Sequence, residues 1–84
     1  MFNIRWKQSA LNELASLWMD ASPEQRREIT EAANMIDQIL QVNPEEQGES
    51  RPNGRRIFFV PPLGVLFRVR QQQGFVRVLQ VWRY

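Results

Sequence analysis

Across Arg55–Tyr84, apolar side chains recur at alternate positions in three short runs, Arg55–Val60, Val65–Arg70 and Phe75–Trp82. A period of two is that of a β-strand with one face buried. The breaks between the runs, Pro61-Pro62-Leu63-Gly64 and Gln71-Gln72-Gln73-Gly74, each end in glycine, which suits the positive φ of a tight reversal. The expectation is a three-stranded antiparallel meander. Such a sheet cannot leave its apolar face in water, so the residues before Arg55 must supply a covering layer.

Two helices answer that need. Ser9 reads as an N-cap, after which Leu11, Leu14, Ala15 and Trp18 fall on one helical face, giving a helix from Ser9 to Asp20. Ser22-Pro23-Glu24-Gln25 is the sharpest local signal in the chain. It combines a capping serine, a proline at the first helical position and a glutamine that can reach back to the cap. The helix it starts carries Ile29, Ala32, Ala33, Ile36 and Ile39 or Leu40 on its core face, and Asn43-Pro44 stops it. Only Asp20 and Ala21 separate the first helix from Ser22, so the pair should form an antiparallel hairpin.

Before the helices, Phe2, Ile4 and Trp6 alternate with Asn3 and Arg5 as a further strand, and Glu45–Gly54 has the composition of a surface loop. The expected architecture is a single α+β domain over residues 1–84. In it a helical hairpin packs on a mainly antiparallel four-stranded sheet in a two-layer β-α-α-β-β-β sandwich. Val65, Phe67 and Val69 should face the helices, and Leu66, Arg68 and Arg70 should face out. In Phe75–Trp82 both parities are apolar enough to be mostly covered, which places that strand centrally, with the first strand on one side and Val65–Arg70 on the other. Trp6 and Trp18 are expected in the core; Trp82 is either core or a surface on which a base or partner side chain stacks.

The formal charge of +2 conceals a division. Residues 1–50 hold all nine acidic residues and four basic ones; the other seven basic residues, all arginine, lie in 51–84. Guanidinium groups bind phosphate or carboxylate through planar, bidentate contacts, so the arginines point to anion recognition. The alternative is that they pair with the acids of the first half or solvate a sheet face. No apolar run reaches the length of a signal peptide or a membrane span, and a soluble cytoplasmic protein is the expectation.

With no cysteine and no histidine, thiol nucleophiles, Ser-His-Asp triads and ordinary zinc or copper centres are excluded, and no glycine-rich phosphate loop occurs. No cofactor and no metal are expected. The remaining chemistry is phosphoryl transfer on RNA, in which the substrate's 2′-hydroxyl attacks, arginines neutralise the phosphate, and Tyr84 or Lys7 would act as base.

The β-α-α-β-β-β order and the strands Val65-Leu66-Phe67-Arg68-Val69 and Val76-Arg77-Val78-Leu79-Gln80-Val81 resemble the RelE/ParE-type toxins of bacterial type II toxin-antitoxin systems, also labelled plasmid stabilisation proteins. In that family the RelE branch cuts messenger RNA on the ribosome and the ParE branch poisons DNA gyrase. An antitoxin that wraps the toxin neutralises both. The resemblance implies an antitoxin partner offering an acidic or amphipathic segment, and ribosome-bound messenger or gyrase as target. It also implies catalytic roles for Arg55, Arg56, Arg83 and Tyr84, with Arg51, Arg68, Arg70 and Arg77 binding nucleic acid or partner. The family's third strand usually opens with tyrosine-arginine, where this chain has Leu63-Gly64. Where the fourth strand often ends in glycine-histidine-arginine-arginine, it has Trp82-Arg83-Tyr84. The nuclease motif is incomplete, which sets beside the toxin a second reading, a non-catalytic binding module of the same fold that docks an acidic peptide or nucleic acid. A third is a self-associating domain in which the acidic helices of one copy meet the basic sheet of another.

Overall fold

A computed structural model describes all 84 residues. The N-terminal strand, β1 (Asn3–Trp6), is followed by α1 (Gln8–Met19) and α2 (Pro23–Val42). Lys7 N–H still donates to Val78 O (2.9 Å), in line with the strand's ladder, while Lys7 O already accepts from Leu11 N (3.0 Å). The helix therefore starts at Gln8 without a side-chain cap, and Ser9, the expected N-cap, lies inside its first turn. At α2 the expected capping box is complete. Ser22 Oγ accepts from Gln25 N–H (3.3 Å) and Gln25 Oε1 accepts from Ser22 N–H (3.0 Å), satisfying two donors that a helix start leaves free.

The apolar residues of α1 divide in a way their spacing does not show. Ala10 is buried, and Leu14 and Leu17 pack on the core, whereas Leu11 and Trp18 are each 41% exposed. Trp18, expected in the core, instead lies under the Arg26 guanidinium, 4.4 Å from its ring centroid. Arg26 also donates to Trp18 O (2.9 Å) and Met19 O (3.0 Å), capping the end of α1. Trp6 is half-buried against the core and donates through Nε1 to Asp37 Oδ1 (2.8 Å). On α2, Ile29, Ala32, Ile36 and Leu40 are buried, as their spacing predicts.

A 3-10 turn at Pro44–Glu46 leads into β2 (Glu49–Arg51), a strand within the expected loop, so the sheet has five strands and not four. All three β2 residues are exposed, and with neither face packed the segment carries no alternation to read. A short turn at Pro52–Gly54, with Asn53 and Gly54 at φ 66° and 71°, returns the chain as β3 (Arg55–Val60). Then come β4 (Leu63–Arg70) and β5 (Phe75–Arg83). The turn before β4 is Pro61-Pro62 alone, and Leu63 and Gly64, expected in that break, belong to the strand. Gly74 keeps the expected positive φ, 72°.

The strand order is β1-β5-β4-β3-β2, with β1 parallel to β5 and every other pair antiparallel. The expected central position of the last strand, between the first strand and Val65–Arg70, is observed. Its mixed parity has a cause other than two covered faces. Leu66 pairs with Gln80 but Phe67 with Val78, leaving Leu79 as a bulge. Beyond the bulge the alternation inverts, so Val76, Val78 and Val81 all reach the helix side. With Phe58, Val60, Leu63, Val65 and Phe67 they meet Ile29, Ala32, Ile36 and Leu40 in one core between sheet and helices. No helix is long and apolar enough to cross a membrane.

Candidate functional site

Residues opposite one another in a sheet project from the same face. Arg51 pairs with Arg55, Arg55 with Arg68, Arg68 with Arg77, and Arg77 with Arg5. Five arginines thus stand in one row across all five strands, on the face turned away from the helices, and at ~4.8 Å per strand the row spans about 19 Å. Its only ion pair joins Arg51 Nη1 to Glu49 Oε2 (3.2 Å) at the sheet's edge. Arg5 lies over the Phe75 ring, 4.1 Å from its centroid, and Arg55 Nε donates to Pro52 O (3.0 Å). Arg68 Nε is buried with no hydrogen-bond partner. Like charges placed directly opposite destabilise a sheet, so a row of four without carboxylate partners is an arrangement that an anion would relieve.

Two residues further along β4 the outer row reads Glu49, Ile57, Leu66 and Gln80, and two further still it reads Phe59, Gly64 and Trp82. A Cβ at Gly64 would lie 2.6 Å from Cε2 of the Trp82 indole, so the indole occupies the space above the glycine. Phe59 meets Trp82 edge to face (centroids 6.2 Å) and Tyr84 likewise (5.1 Å). Phe59 and Tyr84 remain 53% and 61% exposed. The outer face thus grades from guanidinium at one end to aromatic rings at the other, about 13 Å apart at ~3.3 Å per residue.

The residues singled out from the sequence are distributed over this frame unevenly. Arg51, Arg55, Arg68 and Arg77 join the row; exposed Arg70 is the register partner of Phe75 beside it. Arg56 is paired with Phe67 on the helix-facing side, where Nε donates to Gln47 O (2.8 Å) and Nη2 to Gly48 O (3.0 Å), tying down the segment before β2. Arg83 pairs with Leu63, also on the helix-facing side, at the aromatic end of the sheet. Tyr84 N–H donates to Pro62 O (3.1 Å) nearby. Arg55, Arg56, Arg83 and Tyr84 therefore do not form one cluster: two stand at each end of the sheet. Arg5 was not among the residues read as functional. Its alternation with Ile4 and Trp6 gives its face, but only the parallel register with β5 puts it beside Arg77.

On the other side of the molecule α1 and α2 leave an open groove of about 550 Å³, lined chiefly by Leu11, Leu14, Ala15, Trp18, Ile29 and Ala33. No three metal-ligating side chains lie together. The arrangement can bind an extended anion on the sheet and an apolar stripe on the helices.

No protein-family model matches the chain, and no curated protein matches it. Solved structures do. It is similar to a chain of the chromosomal ParDE TA system from P. aeruginosa, with a TM-score of 0.77 at 20% identity over 99% of this chain and 96% of that one. It is also similar to a chain of the toxin-antitoxin complex RelBE2 from Mycobacterium tuberculosis, with a TM-score of 0.76 at 16% identity over 99% and 91%. The fold is that of the RelE/ParE type, as the sequence resemblance implies.

Proposed function

We propose that this protein is the toxin of a type II toxin-antitoxin system and that it acts by engaging RNA, in the setting of ribosome-bound messenger, through the outer face of its sheet. The observation that carries the reading is the arginine row, four of whose members have no carboxylate partner. A polyanion releases counterions when it meets such a row, and guanidinium forks match phosphate geometry. That the structural neighbours come from toxin-antitoxin systems supports the same reading. The α1–α2 groove suits the antitoxin, whose amphipathic helix would lay its apolar stripe between Leu11 and Ala33. The test is induced expression in bacteria, followed by growth and by sequencing of messenger ends. Wild type should arrest growth, and Arg68→Gln with Arg77→Gln, at equal abundance, should not. Arrest by the double variant, or normal growth with wild type, counts against the proposal.

One observation favours a second reading, binding without cleavage. The phenol of Tyr84, one of the two bases expected from the sequence, stands at the opposite end of the sheet from the row. A phosphate on the row would lie out of reach of that phenol. Arrest with intact messenger, unaltered by Tyr84→Phe, identifies this case; new ends that vanish with Tyr84→Phe identify a nuclease.

A further inference from the structure

We infer that Phe59, Trp82 and Tyr84 form a base-stacking subsite, so that the outer face takes single-stranded RNA with its phosphates on the arginine row and unpaired bases on the rings. This inference rests on the RNA reading above and adds a strand preference that the arginines alone cannot supply.

The rings do no work in the core, which is built on the other face. Phe59 and Tyr84 are more than half exposed, although isolated aromatic side chains gain by burial. Their arrangement depends on Gly64. Any side chain there would strike the indole, and without one Phe59 and Trp82 close over the strand between them. Edge-to-face packing, with interplanar angles of 82° and 76°, holds the rings upright to one another, and the exposed surface of Phe59 and Tyr84 is what a stacked base would cover. The intervening row of Glu49, Ile57, Leu66 and Gln80 carries a single charge, at the edge strand. The platform lies about 13 Å from the arginines, a distance that a single strand crossing the sheet spans in a few nucleotides. The face's one carboxylate, Glu49, is already held by Arg51. The carboxylates of an acidic peptide would satisfy the arginines but make no use of the rings, and a duplex keeps its bases stacked internally and cannot offer them.

The experiment compares three probes on the whole protein: a single-stranded oligoribonucleotide of mixed sequence, its duplex, and inorganic polyphosphate. Phe59→Ser with Tyr84→Ser alters exposed positions, and Gly64→Ala displaces the indole without removing it; a thermal melt of each confirms folding. Both changes should weaken single-strand binding, the double serine variant by about tenfold or more. Binding of polyphosphate and duplex should stay within twofold of wild type, whereas Arg68→Gln with Arg77→Gln should weaken all three probes. Single-strand affinity unchanged in both aromatic variants overturns the stacking subsite and leaves the arginine reading intact. So does a loss shared equally among the probes. If the arginine variant binds every probe like wild type, the RNA reading fails, and the subsite with it.

Discussion

Two glycines illustrate how single residues set this surface. Gly48 sits at φ +65°, and a Cβ there would lie 1.9 Å from the carbonyl oxygen of Ile57, a backbone atom of the neighbouring strand. Gly64 has no left-handed strain, and what a Cβ would meet is a side chain that can swing away. Gly48→Ala should therefore lose about 2–4 kcal/mol and Gly64→Ala only about 1–2 kcal/mol, from the combined cost of left-handed backbone and overpacking. Urea midpoints at unchanged m values measure both; equal losses would show that the β2–β3 edge gives way as easily as an indole. Arg56 makes the complementary point. In the sequence it is indistinguishable from Arg55, yet the strand's pleat sends them to opposite faces, one to two backbone carbonyls and the other to the row.

At the level of elements, the helix start at Ser22 is written out in full by Ser-Pro-Glu-Gln, and its hydrogen bonds are present. Ser22→Ala should cost about 1 kcal/mol and lower the melting temperature by about 4–8 °C in a domain of this size. A melt within 1 °C of wild type would mean the core alone fixes the hairpin. The helical hairpin, the three alternating strands and the central place of β5 were legible because each buries one face in a fixed period. The rest was hidden for identifiable reasons. β2 buries nothing and so has no period. The bulge at Leu79 exchanges the faces of β5 partway along, which mimics a strand covered on both sides. The face of α1 with the clearest apolar spacing, Leu11 to Trp18, lines a groove and not the core, because sequence gives an apolar stripe but not what covers it. The arginine row is a matter of register: its members lie as far apart as Arg5 and Arg77, and only pairing aligns them.

For the molecule as a whole, the acids sit mainly on the helical layer and beside β2, and the arginine row sits on the sheet's outer face, so salt should act on it in two opposed ways. Screening the row's repulsion should raise folding stability between about 10 and 150 mM salt. The same salt should weaken single-stranded RNA binding with a log–log slope near −3, from about 0.7 for each of four arginines. Arg68→Gln with Arg77→Gln should flatten both dependences; a steep RNA slope surviving that change would place the phosphate contacts elsewhere. The parallel pairing of β1 with β5 has a consequence in time. Asn3–Trp6 leave the ribosome about seventy residues before the strand they pair with, an interval of seconds at about 5–20 residues per second. Until then Arg5 has no neighbour, Arg77 does not exist, and the Lys7 N–H that enters α1 has no Val78 carbonyl to meet. The arginine row is therefore assembled last, and a chain interrupted before β5 emerges lacks Arg77, the member that joins Arg5 to Arg68.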